Sequence, residues 1–197
     1  MRGKFAIALL ALAMLCASAL AEENAAEDWF SKGWALQRNG SNAEALAAYE
    51  KAIEINKSHI YSWSAKGSVL SDMGRYNESA EAYGKAIELQ DDEYFSATSW
   101  EMKGKALAAA GRQEEASEAY RTALAEADKA IAKAESDNRT AMDLNLSPAW
   151  NLKAQLLTDQ GRYEEAVATG AESVALCQRV RGENAARCVR GLTHHGQ

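Results

Sequence analysis

Four stretches of the chain share one alternation of apolar and polar positions. "WFSKGWALQRNGSN" begins at Trp29, "WSAKGSVLSDMGRY" at Trp63, "WEMKGKALAAAGRQ" at Trp100 and "WNLKAQLLTDQGRY" at Trp150. In each, Trp, a small residue four positions on and Leu seven positions on fall along one helical face, and a Gly follows where that helix stops. The downstream halves match as well: "EALAAYEKAIEIN", "ESAEAYGKAIELQ", "EEASEAYRTALAE" and "EEAVATGAESVAL". Each unit is therefore predicted to be two helices joined at Gly40, Gly74, Gly111 or Gly161. Ala45, Ala52, Ala86, Ala116, Ala123 and Ala166 keep one face of the second helix small. Gly33, Gly67, Gly104 and Ala154 recur inside the first helix, where Gly costs about 1 kcal/mol relative to Ala. A repeated cost of that kind implies close packing, and these positions are predicted to be where two helix backbones approach.

The step from Trp29 to Trp63 recurs from Gly33 to Gly67, from Gly40 to Gly74 and from Tyr49 to Tyr83. The later spacings are longer. Extra residues fall in "QDDEYFSATS", and "AEADKAIAKAESDNRTAMDLN" reads as a lengthened second helix of the third unit, ending near "SDNRT". The next helix is predicted to start with Ser147 as its cap and Pro148 in its first turn.

This pattern resembles the tetratricopeptide repeat, a helix–turn–helix unit of about 34 residues. The resemblance covers about residues 26 to 180. Lys32, Lys66, Lys103 and Lys153 stand where that family has Leu, the closing Pro is missing, and Gly170 replaces the Tyr seen at Tyr49, Tyr83 and Tyr120. The last repeat is accordingly expected to pack less tightly. The resemblance implies an all-α superhelix, a solenoid of about four repeats: 26–59, 60–96, 97–146 with the extended second helix, and 147–181. Residues 22–25 form a short tail, and 182–197 a short capping helix and tail.

The same resemblance implies a concave groove that holds a partner peptide or helix, lined by the first helices. Its residues would be Phe30, Trp34, Gln37, Tyr61, Ser64, Ser68, Glu101, Lys105, Asn151 and Gln155. Phe30, Trp34 and Tyr61 make an aromatic cluster, the kind of side chain that anchors interfaces. One branch of the family grips acidic peptide C-termini with basic residues. Its matching positions here are Phe30, Trp34, Ala65, Thr98 and Met102, none of them basic, which excludes that ligand. The four-Lys column is predicted to lay aliphatic stems between helices, with the ammonium groups beside Glu54 and Glu88.

Ahead of the repeats, "MRGKFAIALLALAMLCASALA" has a basic start, an apolar run from Phe5 to Cys16 and a small-x-small ending at Ala19-Leu20-Ala21. That is the layout of a cleaved secretory signal peptide over residues 1–21. The rival is a retained membrane anchor, since the stretch from Phe5 to Ala21 sits at the short limit for a span. Export to the periplasm, the cell surface or the medium is expected either way. The chain after Ala21 keeps all 28 Asp and Glu and 20 of the 22 Lys and Arg, a formal charge of −8. An acidic surface argues against nucleic acid as partner, and against a membrane except through a retained anchor.

Two further features suit an exported protein. Asn39, Asn56, Asn77, Asn138 and Asn145 each head an Asn-x-Ser/Thr triplet, a glycosylation acceptor pattern. Cys177 and Cys188 are the cysteines left after cleavage. On one continuous helix they would be about 16 Å apart, too far to bond. A fold-back after Arg181-Gly182 would let them form a disulfide and pin the capping helix. A zinc site with His194 and His195 is the alternative, and its spacing matches no strong template.

No phosphate-binding loop, metal-binding helix motif or nucleophile elbow is present, so neither catalysis nor a cofactor nor a metal is expected. Three readings of function follow: an interaction scaffold, a self-associating structural component of an envelope or surface assembly, and a carbohydrate-binding protein.

Overall fold

The computed structural model describes residues 23–90, 92–136 and 146–181, and the described residues are helical apart from short turns. The helices are α1 (23–38), α2 (Asn42–Ile55), α3 (Ile60–Asp72), α4 (Tyr76–Glu88), α5 (Glu93–Ala109), α6 (Gln113–Ser136), α7 (Leu146–Asp159) and α8 (Tyr163–Arg181). The expectation of an all-α fold is met. The chain divides into two compact units, Met1–Leu89 and Gln90–Gln197.

Each first helix stops in the same way. Gly40, Gly74, Gly111 and Gly161 have φ between 73° and 81°, a conformation that costs a residue without a side chain little. The Gly40 N–H donates to the Gln37 carbonyl at 2.9 Å, and the Ser41 N–H to the Leu36 carbonyl at 3.0 Å. This pair of bonds is a Schellman cap. It recurs in the other three repeats, where Leu70, Leu107 and Leu157 accept from Arg75, Arg112 and Arg162. Each of those arginines then bonds the Glu three residues on, holding the Glu78, Glu115 and Glu165 carboxyls below the usual range.

The recurrent Gly inside the first helix faces a ring, not a backbone. A Cβ at Gly33, Gly67 or Gly104 would come within 2.6, 2.9 and 2.7 Å of the rings of Tyr49, Tyr83 and Tyr120. The second helix thus plugs a Tyr into the notch that Gly leaves. In the fourth repeat both partners change together: Ala154 stands at the Gly position and Gly170 at the Tyr position. The expected loss of the Tyr there is matched by a methyl on the opposite helix. Beside the second contact, the buried Ser79 hydroxyl donates to the Gly67 carbonyl at 2.7 Å.

Around these contacts the first unit gathers Ala45, Leu46, Tyr49, Val69, Leu70 and Ala82, with Phe30, Leu36, Trp63 and Ala65 at the margin. All six alanines expected on the small face are buried. In the second unit Ala97, Ala123, Ala127, Leu152 and Leu156 form one cluster, and Ile131, Ala149 and Trp150 another, with Tyr94 touching both. The extra residues before Trp100 add a turn to the start of α5, capped by Asp92 accepting from the Phe95 N–H at 2.8 Å. The surplus after repeat three extends α6 to 24 residues. Lys133 near the end of α6 reaches the Glu93 carboxylate at 2.8 and 2.9 Å and holds it below its ordinary pKa. α7 begins at Leu146, so Ser147 lies inside the first turn with Pro148 instead of capping it.

The lysine column differs from expectation. Lys32, Lys66, Lys103 and Lys153 each stack on the Trp one turn earlier, with Nζ 4.6 to 5.8 Å from the ring centroid. Lys66 then reaches Glu50 on α2 at 2.8 Å, and Lys153 reaches Asp128 on α6 at 2.7 Å. Glu54 and Glu88 are taken instead by Lys51 and Lys85, three residues before them. A Lys on a Trp face gains about 0.5–1 kcal/mol where exposed.

Two stability changes follow. Gly67→Ala adds helix propensity worth about 1 kcal/mol, yet drives a methyl into the buried Tyr83 ring, an overpacking that costs about 1–3 kcal/mol. Urea denaturation should show net destabilisation; a stabilised variant would mean the ring swings aside. Trp63 is half-buried at the margin of its cluster, with Nε1 donating to the Lys57 carbonyl at 2.9 Å. Trp63→Ala should therefore cost about 2 kcal/mol, less than the roughly 3–5 kcal/mol of a fully buried Trp.

Candidate partner-binding faces

In the first unit α1 and α3 present residues three, four and seven apart along one face each. Phe30, Trp34 and Gln37 lie on α1; Tyr61, Ser64 and Ser68 on α3. The structure joins the two rows at both ends. At one end the Phe30 ring is 6.3 Å from Tyr61, 5.5 Å from His59 and 5.9 Å from Tyr49, centroid to centroid. At the other, Gln37 Nε2 donates to Ser68 Oγ at 3.1 Å and to Asp72 Oδ2 at 3.0 Å. Ser64 is half-buried between them.

Of the three aromatics, Phe30 is half-buried and helps pack α1 on α3. Trp34 and Tyr61 are the open ones, 51% and 58% exposed. Arg38, one turn beyond Trp34, lays its guanidinium 4.7 Å from the indole centroid. That stacking covers part of the ring and leaves about half of the residue open.

Two contributors to this face were not assigned to it from sequence. Tyr49 donates its hydroxyl to Gln37 Oε1 at 2.9 Å, which fixes which end of the amide points at Ser68 and Asp72. Burial pushes the Tyr49 phenol up to about 12. His59 caps α3: its Nδ1 accepts from the Ser62 N–H at 3.2 Å and meets Ser62 Oγ at 2.7 Å. The proton then belongs on Nε2, 3.1 Å from Glu27 Oε2 on α1. The signal was available, since His59 stands immediately before an amphipathic run, but His is not among the residues that ordinarily read as helix caps.

In the second unit α5 and α7 carry the other predicted residues. Glu101 is buried, and its Oε1 accepts from Lys105 Nζ at 2.6 Å and from Gln155 Nε2 at 3.2 Å. Lys105 keeps its ammonium partly in water, so the pair sits at the surface of the core. Asn151, one turn before Gln155 on α7, is half-buried. These residues make a polar face with one carboxylate already neutralised by its own neighbour.

The remaining predicted sites are spread. Asn39 is exposed in the turn before α2, Asn77 is exposed in the first turn of α4, and Asn56 is half-buried with Oδ1 accepting from the Ser58 N–H at 2.9 Å. Asn138, Asn145, Cys188, His194 and His195 lie outside the described residues, as does the side chain of Cys177. The proposed disulfide and the alternative zinc site therefore fall outside them too, and so does the leader.

Three family models, each described as tetratricopeptide repeat, match residues 26–59, 64–131 and 151–184, together more than half of the chain. The chain is a tetratricopeptide repeat protein. No curated protein matches the sequence. Among solved structures, the N-terminal domain of stress-induced protein-1 from C. elegans is 24% identical with a TM-score of 0.52, over 54% of this chain and 87% of that one. MamA is 17% identical with a TM-score of 0.51, over 81% and 82%. The apo form of RapI is 15% identical with a TM-score of 0.55, over 84% of this chain and 46% of that one. At these identities the likeness is one of fold. The family match makes the protein a tetratricopeptide interaction module.

The Tyr49 phenol supplies a pH test. Its folded pKa lies above the unfolded value of about 10, so its contribution to stability is complete below pH 10 and is lost as pH rises toward 12. Thermal melts between pH 9 and 12 should fall more steeply for the wild type than for Tyr49→Phe. Parallel slopes would mean that the phenol ionises as readily folded as unfolded.

Proposed function

We infer that this is an exported, non-catalytic scaffold that docks a protein segment on its first-helix faces. The observation that carries the reading is the pair of open aromatics, Trp34 and Tyr61, set on helices whose mutual position is locked by Gln37, Ser68 and Asp72. Rigid, amphipathic rings offer contact area at low entropic cost, and large exposed aromatics on a rigid frame are the usual anchors of a binding patch. The α1–α3 face carries polar groups for main-chain contacts but no cluster of cations, which suits an uncharged or weakly basic segment better than an acidic tail.

Export rests on the leader, with cleavage after Ala21 as the favoured outcome. In a cell that glycosylates, Asn39 and Asn77 are the better acceptors of the three described, since both are exposed. The Cys177–Cys188 bond would then pin residues 182–197 in an oxidising compartment.

A displayed peptide library selected on the mature chain tests the reading. The expected outcome is a family of binders that lose at least tenfold in affinity on Trp34→Ala/Tyr61→Ala, two exposed positions whose change should lower the thermal melt only slightly, through the lost contact of Tyr61 with Phe30 and His59. Binders indifferent to the double change would move the site to the α5–α7 face. Retention on a glycan array with no peptide selected would instead favour the carbohydrate-binding reading. N-terminal sequencing of the exported protein should begin at Glu22.

A further inference from the structure

Four carboxylates of the first unit are neutralised by its own cations: Glu54 by Lys51, Glu50 by Lys66, Glu78 by Arg75 and Glu88 by Lys85. Those on the face shared by α1 and α3 are not. Glu27 stands one turn before Phe30 on α1, and Asp72 one turn after Ser68 on α3. Both are exposed, and neither meets a Lys or Arg among the described residues. Their hydrogen-bond partners are neutral: His59 Nε2, 3.1 Å from Glu27 Oε2, and the Gln37 amide, 3.0 Å from Asp72 Oδ2. The second oxygens, Glu27 Oε1 and Asp72 Oδ1, have no protein partner among the described residues. Glu23, one turn before Glu27, adds another exposed carboxylate at that end. Arg38 lies on the Trp34 ring and forms an ion pair with none of them.

The two carboxylates mark opposite ends of the face. The Glu27–His59 contact joins the starts of α1 and α3, and the Gln37–Asp72 bond joins their ends. Ten residues of α1 separate Glu27 from Gln37, about 15 Å along the axis. The open rings of Trp34 and Tyr61 lie within that length. The second unit treats a carboxylate on its own face differently. Immediately after the repeat Trp, where Phe30 and Ser64 stand in the first unit, is Glu101, and Lys105 on the same helix neutralises it at 2.6 Å. A segment laid over Trp34 and Tyr61 draws water away from the open oxygens at both ends. An uncharged segment would leave those oxygens unpaired, and an acidic one would add repulsion. A cation at each end restores what the lost water supplied.

Given that a protein segment docks at Trp34 and Tyr61, as inferred above, we propose that this segment is basic. It lays apolar side chains on the two rings and carries a Lys or Arg at each end, one meeting Glu27 and the other Asp72. An extended chain rises about 3.3 Å per residue, so the two cations stand about four to five residues apart. Arg serves well here, because its planar guanidinium pairs with a carboxylate and also stacks on an aromatic ring. The formal charge of −8 on the mature chain draws such a segment in at long range, and salt weakens that attraction.

Random peptides displayed, selected on the full mature chain and then synthesised singly test this chemistry. The selected family should carry Lys or Arg at two positions about four to five residues apart. Affinity should fall by about fivefold or more between about 0.05 M and about 0.5 M NaCl, as screening shortens. Glu27→Gln and Asp72→Asn should each weaken binding by about three- to fivefold. Both keep an oxygen for the His59 and Gln37 hydrogen bonds and should melt like the wild type. Changing the matching Lys or Arg of the peptide to Gln should cost nothing further once its carboxylate is gone, the mark of a direct pair. Glu81→Gln, at an exposed carboxylate of α4, changes the net charge equally and should leave affinity unaltered. Peptides that need Trp34 and Tyr61 yet are uncharged or acidic, or that bind Glu27→Gln/Asp72→Asn as well as the wild type, overturn the basic partner and leave docking standing. So does an equal loss on Glu81→Gln, which would mean attraction by net charge alone. Peptides that ignore Trp34→Ala/Tyr61→Ala overturn docking at this face, and the basic partner with it.

Discussion

The arrangement depends on one steric exchange: a hydrogen in the first helix for a ring in the second. Gly33 leaves a notch that the Tyr49 ring enters at a distance no Cβ would tolerate, and Gly67 and Gly104 do the same for Tyr83 and Tyr120. Each contact fixes the axial register of a hairpin, because a slip of one residue would set the ring against a side chain. In the first repeat the consequence extends to the surface. The seated Tyr49 presents its hydroxyl to Gln37, and Gln37 in turn bonds Ser68 and Asp72 of α3. A packing constraint thereby becomes a polar strut between two first helices. The equivalent positions in the later repeats are Ser71, Ala108 and Thr158, which cannot repeat the strut.

Periodicity made the hairpins legible, because the turn Gly and the Leu of the last turn act locally: a left-handed residue ends the helix, and the Leu carbonyl receives the capping N–H. The small residue at Gly67 was readable as a contact, but its partner was not. A backbone and an aromatic ring both demand a missing Cβ, and only the constant separation that pairs Gly33 with Tyr49, and Ala154 with Gly170, distinguishes them. The lysines show the opposite limit. Their stems were expected between helices, yet which carboxylate each one meets depends on the rotation of the neighbouring helix, a tertiary quantity. Glu54 and Glu88 were plausible by proximity in sequence and lost to local pairs three residues away. Among the binding-face residues, helical spacing grouped Trp34 with Phe30, but burial separated them: one ring is structural and the other open.

The second unit departs from the basic repeat period in a coordinated way. α5 gains a turn at its start and α6 gains length at its end, and in an antiparallel hairpin those are the same end. Tyr94 and Ile131 occupy the added layer together with Trp150 of α7, and Glu93 and Lys133 close it. The insertion therefore enlarges a core that the following repeat uses. That also accounts for why Trp150 is the buried member of its column while Trp29, Trp63 and Trp100 stay half-exposed.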